Sequence, residues 1–305
     1  MRRLLHLSVL LAMAAAASEK SGDPAASDRG NSDNMQERLR RAKAAEKRLA
    51  EAMMSEDIPT VKSILEERVL NIDVARVKSD FLLHHAAAYR KLEILKELLK
   101  AGANPNLKDV HHRTPLSYAA RDGYHDVAVA LIDANANVNG TGSASPLFLA
   151  AMHGHAHVVK LLLSRGADHS QRASDGSTPL ILAARDGHTP VVRLLLDKDK
   201  SLIDEKDVHG FTALVYACQD GQTEVAEELI ERVMGVRARS SQTPQQSSRE
   251  FRRCDEIQGA DVNSKSVSGW TALHKASQHG HEDIVELLLE ASVLVASIHY
   301  HHHHH

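Results

Sequence analysis

The side chains with the most evident chemical capacity are histidines. His153, His155 and His157 stand in the run H-G-H-A-H. Three imidazoles this close form a ligand set that zinc or copper accepts, although neither a cysteine nor a carboxylate lies beside them. A structural reading competes. Gly154–His155 recurs as Gly187–His188 and Gly280–His281, and a recurring position accounts for His155 without a metal. That leaves His153 and His157 on either side of a turn. The chain has 21 histidines, and His299 and His301 to His305 crowd its end. That run reads as a tag or a native low-complexity tract.

Nucleophiles are scarce. There are two cysteines, Cys218 and Cys254, with no CxxC pair, so no disulfide framework is available. Cys218 replaces a small residue in a helical pattern and reads as a buried, inert thiol. Cys254 has Arg252 and Arg253 beside it and is the candidate reactive thiol. The pairs His84–His85 and His111–His112 lack catalytic spacing. No phosphate-binding loop, dinucleotide glycine motif, G-x-S-x-G or H-E-x-x-H occurs. The expectation is a protein that is not an enzyme.

Charge removes another class. The 305 residues carry 37 basic and 40 acidic side chains, without the basic excess on which nucleic-acid binding depends. Hydrophobic residues reach 43% but aromatics only 3%, which suits small helices packed closely through Ala, Leu and Val. Residues 1–17, MRRLLHLSVLLAMAAAA, combine a basic start, an apolar run and an A-x-A end, the layout of a secretory signal peptide. An organelle-targeting peptide or an Ala-rich leader shares these features. The run is too short to span a bilayer. Residues 18–34 have almost no large apolar side chain and are expected to form a disordered linker.

The elements that must carry these residues are repeats. R-T-P-L-S-Y-A-A-R-D-G-Y (113–124), A-S-P-L-F-L-A-A-M-H-G-H (144–155) and S-T-P-L-I-L-A-A-R-D-G-H (177–188) are close copies. F-T-A-L-V-Y-A-C-Q-D-G-Q (211–222) and W-T-A-L-H-K-A-S-Q-H-G-H (270–281) follow, and Phe81–Arg90 is a weaker copy. The anchors Phe81, Thr114, Ser145, Thr178, Thr212 and Thr271 are spaced by 33, 31, 33, 34 and 59. Thr or Ser at the anchor caps a first helix. Pro115, Pro146 and Pro179 take its first position. Gly123, Gly154, Gly187, Gly221 and Gly280 end it in a left-handed conformation. Second helices show apolar helical spacing, as in Val158, Val159 and Leu161 to Leu163. Gly102 and Gly166 turn the chain out, and Asn135 stands where that glycine is expected.

A period near 33 with T-P-L-H-x-A-A resembles the ankyrin-repeat family. The resemblance covers about residues 45–290, with a divergent first unit in which Leu49, Ala52, Val61, Ile64 and Leu65 fill the apolar positions. It implies an all-α ankyrin-repeat solenoid of about seven helix-turn-helix units with short β-turn tips, filling residues 35–298. One long loop insertion, 234–258, rich in Ser, Gln and Arg, splits the sixth unit. That insertion is either a partner-binding or phosphorylated segment or a tolerated surface loop. The seventh unit is cut short. The apolar stretch Val293–Ile298 extends the last helix or packs on the end of the stack, ahead of a His-rich tail or tag at 299–305.

The resemblance also implies a binding face made of the turn tips and the exposed side of the first helices. Position by position the tips supply His111, Arg113, Ser177, His209, Phe211, Val267 and Trp270. The helices supply Tyr89, Arg121, Asp122, Met152, His153, Arg185, Asp186, Gln219, Asp220, Gln278 and His279. His84 and His274 take the H of T-P-L-H, which in this family joins a hydrogen-bond network between units. Phe211 and Trp270 are large apolar residues at tips, ready either for a partner or to lie on the neighbouring tip. The expected function is a non-enzymatic scaffold or adaptor that binds a protein. It needs no cofactor or metal, and the chain is expected to be a monomer without nucleic acid or a membrane span. A secreted effector acting on a foreign protein is the alternative if 1–17 is a signal, and a cytoplasmic location follows if it is not. A metal-binding protein or metal-dependent enzyme built on the histidines is the reading from another class.

Overall fold

Threonine hydroxyls and prolines set where the first helices begin. Thr114, Thr178, Thr212 and Thr271 each accept a hydrogen bond from the amide three residues on, at Ser117, Ile181, Val215 and His274. Pro115, Pro146 and Pro179 occupy the first helical turn, where no amide hydrogen is needed. Ser145 departs from the expectation: it is buried but makes no side-chain cap bond. Its backbone is turned to φ −60° and ψ 135°, against −98° and 163° at Thr178, so its hydroxyl is not carried over the third amide.

The computed structural model describes residues 27–73, 75–77, 80–140, 144–234 and 260–302. The leader 1–17, the start of the linker, residues 235–258 of the insertion, and Cys254 lie outside them. The described elements, in order, are α1 (Ser27–Ser55), α2 (Ile58–Glu66), a hairpin of β1 (Arg76–Val77) and β2 (Asp80–Phe81), α3 (Leu82–Ala88), α4 (Leu92–Lys100), α5 (Pro115–Arg121), α6 (His125–Asp133), α7 (Pro146–Met152) and α8 (Ala156–Ser164). Then come α9 (Pro179–Arg185), α10 (Thr189–Lys198), α11 (Ala213–Gln219), α12 (Thr223–Met234), α13 (Ala272–His279) and α14 (Glu282–His302). Odd-numbered helices are the first helices of seven units and even-numbered ones the second.

From α3 to α13 each first helix packs on the first helix of the next unit, and each second helix packs on the next second helix. The core therefore runs continuously through the stack. Ala119, Ala120, Ala150, Ala151, Ala183 and Ala184 are all fully buried, which lets the first helices approach closely. Leu131, Leu162, Leu195 and Leu229 fill the layer between second helices. Gly123, Gly154, Gly187, Gly221 and Gly280 all have φ between 72° and 79°, and Asn135 follows with 64°. No helix among the described residues is long and apolar enough to cross a membrane.

Both ends differ from the repeat. Helix α1 begins at Ser27, inside the stretch expected to be a disordered linker, and runs 29 residues to Ser55. Between Asn34 and Arg48 the chain has no Gly or Pro and is dense in Ala, Arg, Lys, Glu and Gln. Residues 27–33, SDRGNSD, are themselves poor in helix formers, so the helix reaches Ser27 as an extension of that stretch and not through the propensity of the linker. At the other end the chain stays helical through Val293 to His302. Of the two outcomes expected there, the last helix is extended. Unit five also replaces the usual glycine exit with a 3-10 turn, Lys200–Asp204, begun by Asp199 accepting from the Ser201 amide.

Candidate functional site

The residue after the left-handed turn that closes each first helix sits at the joint between units. His155 donates from Nε2 to the Arg121 carbonyl (2.8 Å), His188 to Met152 (2.9 Å) and His281 to Gln219 (3.0 Å). Gln222 makes the same bond to Arg185 (3.1 Å), and Lys91 reaches Met53 (2.9 Å). A carbonyl only accepts, so in each histidine Nε2 carries the proton. Each acceptor lies at the end of the preceding unit's first helix, where carbonyls lack intrahelical partners. Tyr124 fills the same position with its ring under Arg90, 5.6 Å from the guanidinium carbon. His155 is thus part of the stack, as its recurrence suggested.

The same rings explain the glycines before them. A Cβ on Gly123 would lie 2.5 Å from the His155 ring, and one on Gly154 equally close to His188. Two constraints meet there, a positive φ and a ring in contact. The T-P-L-H histidines divide. His84 reaches the next unit at the Arg113 carbonyl (3.0 Å), and Ser117, one unit on, does likewise at Ala144 (2.7 Å). His274 does not: its Nδ1 meets the Thr271 hydroxyl of its own unit at 2.7 Å. The expectation of an interunit bond fails there: among the described residues the imidazole is engaged by the cap of its own unit.

Aspartates that the sequence reading missed build the tips. Asp109 accepts from the amides of His111 and Arg113 and from the Tyr118 hydroxyl (2.7 Å). Asp207 does the same for His209, Phe211 and Tyr216. Burial alone would raise the Asp109 carboxyl, but these donors hold it below the usual range. The signal was present as D-x-x-x-[RF]-T-x-x-x-Y, an aspartate nine residues before a tyrosine, at 109–118 and 207–216. Tips also bond to one another, Val208 N to Asp175 O and Val267 N to His209 O.

With joints and tips held by these groups, the expected face residues fall in two rows. Tyr89, Asp122, His153, Asp186, Asp220 and His279 occupy one equivalent position along the stack, and Arg121, Met152, Arg185, Gln219 and Gln278 the adjacent one. All are exposed or half-buried. The carbonyls of Arg121, Met152, Arg185 and Gln219 serve the joints, which leaves their side chains outside the stack. The Arg–Asp pairs close within a unit, not between units. Arg121 grips Asp122 through two bonds of 2.8 Å, and Arg185 meets Asp186 at 3.2 Å. Burial, His155 and Arg121 push the His153 imidazole below its ordinary value.

At the tips His111, His209, Val267 and Trp270 are exposed, Arg113 is half-buried over the Tyr118 ring, and Ser177 is buried. Ser177 is therefore removed from the accessible set, since its amide is turned in to Asp175. Phe211 is half-buried edge-on to Tyr216, whereas Trp270 keeps 37% of its surface exposed.

Reactive chemistry finds little support. His153 and His155 have ring centroids 6.3 Å apart, and His155 is committed to its carbonyl. Among the described residues no group of three His, Cys, Asp or Glu side chains is placed to hold a metal. Burial pushes the Cys218 thiol up to about 12, so it holds its proton at neutral pH.

Comparison with known proteins places this geometry. The family model for ankyrin repeats matches residues 49–142 and 147–240, and a further ankyrin repeat matches 268–299. The chain is 39% identical over 94 residues to 26S proteasome non-ATPase regulatory subunit 10 of Dictyostelium discoideum, covering 30% of this chain and 40% of that protein. It is 40% identical over 84 residues to the potassium channel SKOR of Arabidopsis thaliana, covering 27% of this chain and 10% of the channel. It is 39% identical over 88 residues to the BTB/POZ domain and ankyrin repeat-containing protein NPR3 of Oryza sativa subsp. japonica, covering 28% and 14%. The chain thus spans 40% or less of each of these relatives.

Proposed function

Because the chain belongs to the ankyrin-repeat family, we propose that it is a non-enzymatic scaffold or adaptor that holds a partner protein on its first-helix and tip face. One observation carries this reading. The stack is closed by the row containing His155, His188, Gln222 and His281. The neighbouring rows, from Tyr89 to His279, stay accessible without serving a joint through their side chains. Polar side chains ordered in rows on a rigid surface suit recognition more than stability, to which exposed pairs such as Arg185–Asp186 add little.

Affinity capture from native extract tests it. Partner recovery is expected to fall with Tyr89→Ala and Arg185→Ala but not with Lys160→Ala, which alters an exposed residue of a second helix. Equal recovery with all three would move the binding site off this face. We further propose that the partner is met on the secretory route, on the strength of the basic, apolar and A-x-A layout of residues 1–17. N-terminal sequencing that finds an intact Met1 on the mature protein would sink that part.

A further inference from the structure

The tips of units six and seven bring together an arrangement found at no other joint described above. Phe211 and Trp270 sit at equivalent tip positions of adjacent units, and Lys275, from the next turn of α13, stands between them. Its ammonium is 5.3 Å from the Phe211 ring centroid and 5.1 Å from that of Trp270. Two aromatic faces attract and hold a cation, so a flexible lysine is fixed in place. Unlike Arg121 and Arg185, whose guanidinium groups meet Asp122 and Asp186, Lys275 forms no ion pair with a described residue. Asp207 is taken up by Tyr216 and two amides, and Asp220 accepts from the Gln219 side-chain amide.

The two tips that carry these rings also present exposed apolar side chains. Val267 is 81% exposed, Val208 59% and Trp270 37%, and the two tips are tied by the Val267 amide on the His209 carbonyl. Single exposed apolar residues need no explanation, but here the two tips that supply the rings also expose Val208 and Val267, and Trp270 itself holds the ammonium.

We propose that this joint is the anchor subsite of the binding face, and that it receives an acidic side chain of a partner protein flanked by an aliphatic residue. The carboxylate takes the Lys275 ammonium, and the aliphatic group covers Trp270 and Val267. Charge complementarity selects that occupant: a cationic segment would meet Lys275 itself, and a neutral one would leave the ammonium desolvated and unpaired. The proposal rests on the protein-binding reading above and makes it specific.

The chain has one tryptophan, so its emission reports on Trp270 alone. The full chain is titrated with the tryptophan-free blocked pentapeptide Leu-Asp-Leu-Asp-Leu, with its Asn analogue and with its Lys analogue. A saturable emission change is expected with the acidic peptide, and binding at least about tenfold weaker with the other two, the loss of one charge-assisted contact. Lys275→Gln is expected to weaken the acidic peptide by a similar factor, while Lys275→Arg stays within about threefold of wild type. Four results overturn the proposal: equal binding of the Asp and Asn peptides, tighter binding of the Lys peptide, an unchanged affinity in Lys275→Gln, or no saturable change with any peptide. If one of these occurs while Tyr89→Ala and Arg185→Ala still abolish partner capture, the face binds a protein and only this subsite is refuted.

Discussion

Gly154 shows how a single position carries two demands. Its φ of 74° suits glycine, and an added Cβ would sit 2.5 Å from the His188 ring. Gly166 has φ 82° but open space where its Cβ would be. Gly154→Ala is therefore expected to cost about 2–4 kcal/mol, backbone strain plus overpacking. Gly166→Ala is expected to cost only about 1 kcal/mol. Denaturant unfolding of the two variants checks this, and equal losses would mean that the ring is not held over Gly154. The residue scale also tells which chemistry is idle. A thiol pushed up to about 12 at Cys218 and an imidazole bound to a carbonyl at His155 serve packing.

Among elements, the caps and the second-helix ion pairs separate contributions that look alike in sequence. Thr178 caps α9 with its hydroxyl, whereas Ser145 makes no such bond before α7. Thr178→Ala is expected to lower stability by about 1 kcal/mol. Ser145→Ala should lower it by less than about 0.5 kcal/mol, since no cap is lost. Comparable melting shifts in the two variants would contradict the assignment.

Glu228 on α12 joins two helices by accepting from Arg193 of α10 (2.6 Å) and from Arg232 of its own helix (2.8 Å). Burial alone would raise its carboxyl, but these hydrogen bonds hold it below the usual glutamate range. A depressed folded-state value contributes stability above the unfolded value and loses it as pH falls through the folded one. Glu228→Gln should therefore cost about 1–2 kcal/mol at pH 7. The gap to wild type should close as the medium is acidified through the folded-state value. A gap independent of pH would show that the carboxylate charge is not what binds the helices.

The whole molecule is stabilised by neighbour interfaces, because no unit buries its apolar face alone. Leu162 is fully buried between α8 and its neighbours, in the middle of the stack. Leu162→Ala is expected to cost about 2–5 kcal/mol, read as a lower midpoint in thermal or denaturant unfolding. An unchanged melt would disprove the stacking register. The same geometry leaves the first-helix rows from Tyr89 to His279 accessible along units two to seven. Its most specific feature lies near one end, where Phe211, Trp270 and Lys275 meet.

The sequence by itself determined the fold class, the period and the places where helices start and stop. Those depend on local properties: a proline without an amide hydrogen, a threonine hydroxyl within reach of its third amide, a glycine free to take positive φ. It also marked Gly154–His155 as structural, since recurrence exposes a shared role. Three-dimensional placement decided the rest. Nothing local says that His155 reaches Arg121 across 34 residues, that His274 turns back to its own cap, or that Ser145 fails as one. Nor does composition foretell a helix from Ser27, because the Ser, Asp, Gly and Asn of residues 27–33 have low helix propensity of their own. The commitment of Lys275 to two rings instead of a carboxylate was equally hidden. Phe211 lies 64 residues before it along the chain, and only stacking of the sixth and seventh units brings them into contact.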